Sequence, residues 1–364
     1  MQIREITSYL ESLAPISSQE SYDNSGLIVG APTSEVTNVL ISLDCIESTI
    51  DEAIEKGCEL IIAHHPIVFR GLKKLNGKNY IERTVLKAIK NDIAIYAIHT
   101  NLDNYRFGVN HEIGQRIGLS NTKVLQPKRE VLSKLICYIP MEHSEKVSQA
   151  IFDAGAGSIG DYDECGFQTN GQGTFRPNNA AKPFIGAAGE RSSVEEVKFE
   201  AVCSNHKLSQ VVSAMIAVHP YEEVAYEVFP MLNTNNFEGS GMVGDLEKPM
   251  ETREFLERIK KTFNCSVIRH TEIVHKTIKK VAYCGGAGSF LLDAAKRSGA
   301  EIFITGDYKY HEFFDAEEEI IIADIGHYES EQFTSNRIAE ILTEKFATFA
   351  VHLTAVNTNP INYF

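Results

Sequence analysis

The chain has 364 residues, of which 43% are hydrophobic and 23% are charged, and its formal net charge is −14. This length allows two or three domains, and the composition is that of a globular protein with a sizeable core. No apolar run approaches the length of a membrane-spanning helix, and the acidic balance argues against nucleic acid as a partner.

Seven cysteines are spread along the sequence without a C-x-x-C pair, and most lie in apolar segments. An odd number of widely spaced cysteines argues against a disulfide framework. The first residues also lack the basic and apolar segments of a secretory signal. We therefore expect a cytoplasmic protein with reduced thiols and no membrane association.

Strand-like and helix-like segments alternate through the first third of the chain. The predicted strands cover residues 36–43, 60–63 and 93–98, and the predicted helices cover residues 48–56, 80–91 and 110–117. Alternation of this kind favours a parallel sheet covered by helices.

The middle of the chain has a different pattern. Predicted strands at 134–139, 200–203 and 225–229 are combined with predicted helices at 144–154 and 207–218, and a glycine-rich polar stretch covers 155–173. This pattern is typical of a small α+β domain of the ferredoxin-like type. Proline and asparagine cluster at both joints, so we interpret residues 127–237 as a domain inserted between residues 1–126 and 238–364.

The last third repeats the alternation of the first. Strands are predicted at 281–283, 301–305 and 320–324, and helices at 289–297 and 331–346. Residues 53–63 resemble residues 295–305, and an H-x-x-x-D and an H-x-x-x-E motif follow corresponding strands. The pattern predicts an α/β fold whose sheet-and-helix core is built from two related halves, although chance similarity is the alternative.

Histidines and carboxylates follow two strands of the first half. His64 and His65 end one buried strand directly before a proline, and His99 and Asp103 follow the next strand. An isolated His-His pair is also explained by a hydrogen-bonded turn, and Asp103 by a capping role. Because ligands collect at the carboxyl ends of strands in open α/β sheets, the two clusters together favour a ligand site.

A third cluster, His327 and Glu331, follows a strand of the second half, and these residues share one face if a helix begins near Tyr328. Helix capping with a solvated Glu331 is the alternative. Imidazole and carboxylate ligands without thiolates suit Zn, Fe, Mn or Co. Two such ions about 3.5–4 Å apart can hold a bridging hydroxide and stabilise a developing oxyanion.

Three further segments have a less specific pattern. Lys309 can contact a substrate phosphate and His311 can transfer a proton, but an exposed lysine and a packed histidine explain them equally well. The glycine-rich residues 284–289 favour a tight turn over a phosphate-binding loop, because the dinucleotide and P-loop spacings are absent. Residues 21–27 form a polar turn before an apolar strand.

The chain resembles the Nif-three-like dinuclear-metal proteins, often labelled GTP cyclohydrolase 1 type 2 homologues, in their long bacterial form with an inserted domain. The motifs that carry this resemblance span nearly the whole chain: Asp23-Asn24-x-Gly26-Leu27, Ala63-His64-His65-Pro66, His99-Thr100-Asn101-Leu102-Asp103, Gly306-Asp307-x-Lys309-x-His311, Gly326-His327-Tyr328-x-Ser330-Glu331 and Thr358-Asn359-Pro360. Two stretches of the inserted domain also match, at residues 154–160 and 219–226. One departure is Tyr22, which stands where the family often has tryptophan.

The resemblance implies two divalent metal ions held by His64, His65, Asp103, His327 and Glu331, with Glu331 bridging them. We expect His64 and His327 to hold one ion, and His65 and Asp103 to hold the other. The resemblance also implies a toroidal homohexamer with its metal sites facing an internal cavity.

These features predict a metal-dependent hydrolase that acts on a nucleotide-like or other small substrate. If the GTP cyclohydrolase label applies, water opens the imidazole ring of the purine and formate is released. The alternative is a non-enzymatic metal-binding protein with a regulatory or sensory role exerted through its inserted domain.

Overall fold

Short apolar runs form the strands of this protein, and amphipathic segments form its helices. The computed structural model describes residues 1–347 and 349–364. They cluster into two compact units, one of Met1–Pro127 with Phe237–Phe364 and one of Lys128–Asn236. Within the described ranges, no helix is long and apolar enough to cross a membrane. The predicted α/β class is confirmed.

The first segment of the chain alternates helices and strands. Its elements are α1 (Ile3–Leu13), β1 (Gly26–Val29), β2 (Asn38–Ser42), α2 (Glu47–Lys56), β3 (Leu60–Ala63), α3 (Tyr80–Lys90), β4 (Ala94–Ala97), α4 (Thr100–Asp103), α5 (Val109–Ile117) and β5 (Leu119–Arg129). Local signals set several of these bounds. Gly57 ends α2 in the left-handed conformation, and the Asn79 side chain begins α3 by accepting a hydrogen bond from the Glu82 amide.

The next segment forms the second unit, with β6 (Leu132–Pro140), α6 (Ser144–Asp153), β7 (Gly166–Phe175), β8 (Ser192–Ser204), α7 (Leu208–Val218) and β9 (Tyr226–Met231). The four strands are antiparallel in the order β7-β8-β6-β9. Their β-α-β-β-α-β succession is that of the ferredoxin-like motif. Both helices contribute to one hydrophobic core with the sheet, through residues such as Val147, Val211 and Phe199.

The last segment contains β10 (Thr234–Glu251), α8 (Thr252–Thr262), β11 (Arg269–His270), β12 (Thr277–Ala287), α9 (Leu292–Arg297), β13 (Ile302–Gly306), β14 (Ile321–Asp324), α10 (His327–Glu331), α11 (Thr334–Lys345) and β15 (Ala350–Leu353). The first unit thus has two sheets, with the orders β1-β4-β3-β2-β15 and β11-β14-β13-β12-β10-β5.

The two sheets of the first unit repeat one arrangement. Strands β2, β3 and β4 are parallel and β1 adds antiparallel to β4, just as β12, β13 and β14 are parallel and β11 adds antiparallel to β14. One hydrophobic cluster includes Ile62 and Tyr96 from the first sheet and Tyr283 and Ile304 from the second. This shared core fixes the carboxyl ends of the two parallel strand sets relative to each other.

Two predicted elements differ from the structure. The helix predicted at 331–346 is broken, because α10 ends at Glu331 and α11 begins at Thr334. The Gln332 side chain donates hydrogen bonds to the carbonyls of Phe263 and Glu329 at this break. The polar stretch at 155–173 contains most of β7, which its glycine-rich sequence does not indicate but which pairs with β8 over ten residues.

Candidate metal centre

Three strand ends of the first unit bring imidazoles and carboxylates together. His64 and His65 directly follow β3, Asp103 is the last residue of α4 just beyond β4, and His327 and Glu331 begin and end α10 just beyond β14. All five residues therefore lie at the carboxyl ends of parallel strands, where an α/β sheet exposes its ligand-binding edge.

Glu331 lies at the middle of this cluster, and its side chain is 3% exposed. Its Oε2 atom is 3.0 Å from His65 Nε2 and 3.1 Å from His327 Nε2. Its Oε1 atom faces the other way, 3.9 Å from His64 Nε2. His64 Nε2 is in turn 3.5 Å from Asp103 Oδ1. The two carboxylate oxygens thus face two different pairs of side chains.

Candidate ligand atoms within 4.8 Å of one another form three overlapping sets in the described part of the chain. They are His65, His327 and Glu331; His64, Asp103 and Glu331; and His64, His65 and His99. The first two sets share only Glu331. The geometry thus groups His64 with Asp103 and His65 with His327, which differs from the pairing expected from the sequence.

The Nδ1 atoms of His64, His65 and His327 each form a hydrogen bond with an oxygen. His64 Nδ1 donates to the carbonyl of Ile98, His65 Nδ1 to Asp44 Oδ1 and His327 Nδ1 to Asp307 Oδ2, each at 2.8 Å. Such outer partners fix the ring orientation of metal-binding histidines and leave Nε2 as the ligand atom. Three independent contacts of this kind aim three Nε2 atoms at Glu331.

The Asp44 carboxylate is itself held in place from the other end of the chain. It accepts a hydrogen bond of 2.6 Å from the Thr358 hydroxyl in addition to the one from His65. Burial alone would raise the pKa of Asp44, but these hydrogen bonds hold it below its ordinary value. The carboxyl-terminal Thr358-Asn359-Pro360 motif thus supports the orientation of His65.

Burial has opposite consequences for the groups of the His64 set. It lowers the pKa of His64 to about 3. Burial and the negative charge of Glu331 raise the pKa of the Asp103 carboxyl well above its ordinary value. Without a cation, both groups therefore tend to be neutral, although each is a good ligand for one.

The other set carries compensating charges. Burial would raise the pKa of Glu331, but the His327 and His65 imidazoles hold it well below its ordinary value. The charge of Glu331 raises the pKa of His327 to about 11. Burial opposes the charged form of His65, yet hydrogen bonds to Asp44 and Glu331 raise its pKa to about 9. The positive charge of the two protonated imidazoles balances the charge of Glu331, as a bound cation would.

Two buried atoms of the cluster suit a cation as ligands. His64 Nε2 and Asp103 Oδ1 are both buried, and neither has a hydrogen-bond partner among the residues that the structure describes. Unpaired buried polar atoms are costly unless something binds them. The converging nitrogens and oxygens are a donor set for a divalent transition metal, and all seven cysteines are free thiols outside the three sets.

The glycine-rich residues 284–289 lie against this cluster. A Cβ atom at Gly286 would lie 2.4 Å from Glu331 Oε1, and Gly286 adopts a φ of +62°. The Gly286 amide also donates to the Ser330 hydroxyl at 3.0 Å. Glycine is required here because it leaves room for the Glu331 carboxylate, which agrees with the tight turn preferred from the sequence.

Lys309 and His311 lie outside the cluster. Both side chains are exposed, and neither belongs to a candidate ligand set of the described residues. Lys309 pairs with Glu312 at 3.4 Å, and the His311 ring lies among the rings of Tyr310 and Phe314. Their segment nevertheless begins beside the site, because Asp307 orients His327.

Three further residues shape the site in ways that the sequence did not indicate: Asp44, Asp307 and His99. His99 Nδ1 donates to Asp23 Oδ1 at 2.8 Å, and its ring centroid lies 5.2 Å from that of His64. Asp44 follows β2 by two residues, so its position just beyond a parallel strand was the available signal. The polar turn at 21–27 supplies the Asp23 carboxylate that holds His99.

Comparison with known proteins supports a common origin over the whole length. The family model of Duf34/NIF3 (NGG1p interacting factor 3) matches residues 1–360. A GTP cyclohydrolase 1 type 2 homolog of Bacillus subtilis is 38% identical over 99% of this chain and 98% of its own length. A protein of the same name from Halalkalibacterium halodurans is 38% identical over 97% of this chain and 96% of its own length.

Solved structures show the same relationship. The Bacillus cereus protein related to NIF3 superposes with a TM-score of 0.88 at 36% identity, covering 100% of this chain and 99% of the other. Staphylococcus aureus protein SA1388 superposes with a TM-score of 0.79 at 29% identity, with the same coverage. The sequence resemblance is thereby confirmed, and the chain belongs to the Duf34/NIF3 family.

Proposed function

We propose that this protein is a hydrolase that depends on two divalent metal ions and acts on a small, nucleotide-like substrate. The observation that carries the proposal is the position of Glu331 between two ligand sets. Its Oε2 atom lies 3.0 Å from His65 Nε2, whereas Oε1 lies 3.9 Å from His64 Nε2. A carboxylate in this position suits a pair of ions that share one bridging ligand.

Different residues of the chain would bind each of the two ions. His65 and His327 would hold one ion, and His64 and Asp103 the other, with Glu331 common to both. Zn, Fe, Mn and Co all suit these nitrogen and oxygen ligands. Two bound ions supply Lewis-acid chemistry and activate water at neutral pH. Asp44 and Asp307 keep the His65 and His327 rings oriented through their Nδ1 atoms.

Two exposed residues of the segment that follows Asp307 are the proposed substrate contacts. Lys309 would bind an anionic group of the substrate, since its side chain is 82% exposed. His311 would accept or donate a proton. Ring opening of GTP with release of formate is the specific reaction that we propose to test first, because relatives over the full length carry the name GTP cyclohydrolase 1 type 2 homolog.

Membership of the family also leads us to propose a toroidal homohexamer. Light scattering on the purified chain tests this assembly, and six times the chain mass is the expected result. A monomeric mass that persists at high protein concentration would contradict it.

The function is tested by metal content and turnover measured on one preparation. Elemental analysis should give two ions per chain, and a panel of nucleotides should reveal turnover that is lost with a chelator and restored by metal. Turnover that persists after complete metal removal would contradict the proposal. A fully loaded protein that turns over no member of the panel would favour the regulatory alternative.

A further inference from the structure

Aromatic rings border the proposed metal centre on one side. The His99 ring lies 5.2 Å from that of His64 and 5.3 Å from that of His65, measured between centroids. Phe69 packs edge-on against His99, with the centroids 5.5 Å apart and the ring planes at 80°. Phe69 is nevertheless 45% exposed. Its ring therefore presents apolar surface to solvent next to a group of polar ligands.

One dipeptide holds this border in place. The Asp23 carboxylate accepts hydrogen bonds from His99 Nδ1 at 2.8 Å and from the Thr100 amide at 3.0 Å. The neighbouring Asn24 donates through Nδ2 to the Val68 carbonyl at 2.6 Å, immediately before Phe69. Asp23 and Asn24 thus connect the His99 ring and the segment that carries Phe69 to one turn.

Tyr22 precedes that dipeptide, and it is 65% exposed. Burial of part of the phenol and the charges of Glu20, Asp103 and Asp23 raise its pKa. Tyr22 is joined directly to Asp23, whose carboxylate accepts the hydrogen bond from His99 Nδ1. A second exposed aromatic ring therefore belongs to the turn that holds the His99 ring.

Exposed aromatic faces next to polar ligands suit a substrate with a planar ring. Stacking on an aromatic side chain tolerates any base, because every base has a π face. Arg70 follows Phe69 in the chain and is exposed. Its guanidinium can pair with a phosphate or carboxylate attached to such a ring.

We propose that Tyr22, Phe69 and His99 form a recognition rim of the metal centre that binds a planar heteroaromatic ring bearing an anionic group. This inference rests on the proposed function and adds the residues that select the substrate. Asp23 and Asn24 are positioning residues, because they act by holding His99 and the Val68–Phe69 backbone.

The rim can be tested by binding alone, because the chain contains no tryptophan. Tyr22→Trp introduces a single tryptophan into the rim, and the resemblance to related sequences with tryptophan there supports its tolerance. Metal-loaded full-length Tyr22→Trp protein is titrated with GMP, AMP, ribose 5-phosphate and inorganic phosphate while tryptophan fluorescence is recorded. GMP and AMP should quench the fluorescence saturably, and the two probes without a ring should not.

A second substitution in the Tyr22→Trp protein tests whether the ring of the bound nucleotide contacts Phe69. Phe69→Ala should weaken nucleotide binding about tenfold, within the range that removal of one stacking aromatic produces. Phe229→Ala is the matched control, because Phe229 is 52% exposed but belongs to the second unit. It should leave the affinity unchanged, and circular dichroism should show that all variants are folded.

Equal quenching by ribose 5-phosphate, no quenching by either nucleotide, or an unchanged affinity in Phe69→Ala would overturn the rim. These outcomes are separable from failure of the proposed function, because no turnover is needed. Saturable quenching without turnover would support the rim and contradict the proposed hydrolase activity. Nucleotide turnover with the same KM in Phe69→Ala as in the parent protein would support the hydrolase and contradict the rim.

Discussion

Glu331 and His65 are 266 residues apart in the sequence, yet Glu331 Oε2 lies 3.0 Å from His65 Nε2. His65 follows β3 of the first sheet, and Glu331 ends the short helix α10 that follows β14 of the second. A metal bound by both residues would therefore tie the two halves of the first unit together. Metal binding should raise the free energy of unfolding of this unit.

The carboxylates behind the histidines should control metal affinity. Asp307→Asn and Asp44→Asn each keep the shape of the side chain but remove the charge that faces His327 or His65. We expect each to weaken binding of one ion roughly 10–100-fold. Competition with a chromogenic chelator measures this change. Asp51→Asn is the control, since Asp51 pairs with Lys87 on the surface and its variant should bind metal normally.

The two ligand sets predict which variants lose the same ion. His64→Ala and His327→Ala should each retain about one ion per chain, because they belong to different sets. The double variant should retain almost none. If the double variant still holds one full ion, His64 and His327 serve the same site, as the pairing expected from the sequence requires.

Gly286 should be intolerant of a side chain because of its contact with Glu331. Gly286→Ala places a methyl group where 2.4 Å separates Cβ from Glu331 Oε1, so it should displace the carboxylate and lower metal occupancy. Gly57→Ala is a matched control, with a φ of +64° against +62° and open space around its Cβ. It should cost roughly 1–2 kcal/mol of stability and leave metal binding intact. Equal occupancy in both variants would refute the steric role.

Metal uptake should release protons. The pKa of His65 is about 9 and that of His327 about 11 in the metal-free protein, so both carry a proton at pH 7 that a metal must displace. We expect release of at least two protons per chain at pH 7, one from each of these histidines and a further one from the Asp103 carboxyl to the extent that it is protonated, and an affinity that rises with pH. Calorimetry in buffers of different ionisation enthalpy measures the release, and its absence would contradict the charge pattern of the site.

The same raised pKa values affect stability without metal. A histidine whose pKa is raised by folding adds stability that is fully present below its ordinary value of 6.5 and is lost as the pH rises through the folded value. The metal-free chain should therefore lose stability between about pH 6.5 and 11, the window set by His65 and His327. Urea unfolding of chelator-treated protein across this range measures the loss.

Much of the site follows from the sequence because its residues sit at strand ends. His64 and His65 follow an apolar run, and the alternating pattern places that run in a sheet. The pairing of ligands does not follow in this way. It depends on which oxygen of Glu331 faces which histidine, and only the packing of the two sheets on their shared core determines that orientation.

The elements that sequence patterns missed have physical explanations. Strand β7 is polar and glycine-rich, and its strand conformation comes from pairing with β8 rather than from its own propensity. At the break after Glu331, the Gln332 side chain donates a tertiary hydrogen bond to the Phe263 carbonyl and a local one to the Glu329 carbonyl. Because of this break, Glu331 is the last residue of a short helix and not the first of a long one.

Glu331 is proposed to bridge two ions, and metal analysis of Glu331→Ala tests this role most directly. Two divalent ions at about 4 Å repel by about 16 kcal/mol at an effective dielectric constant of 20, so a shared carboxylate is needed to offset the repulsion. Wild-type protein and Glu344→Ala, a change of an exposed glutamate of α11 outside the ligand sets, should each hold two ions. Folded Glu331→Ala should lose occupancy at both positions. Two ions at full occupancy in folded Glu331→Ala protein would contradict the bridging role.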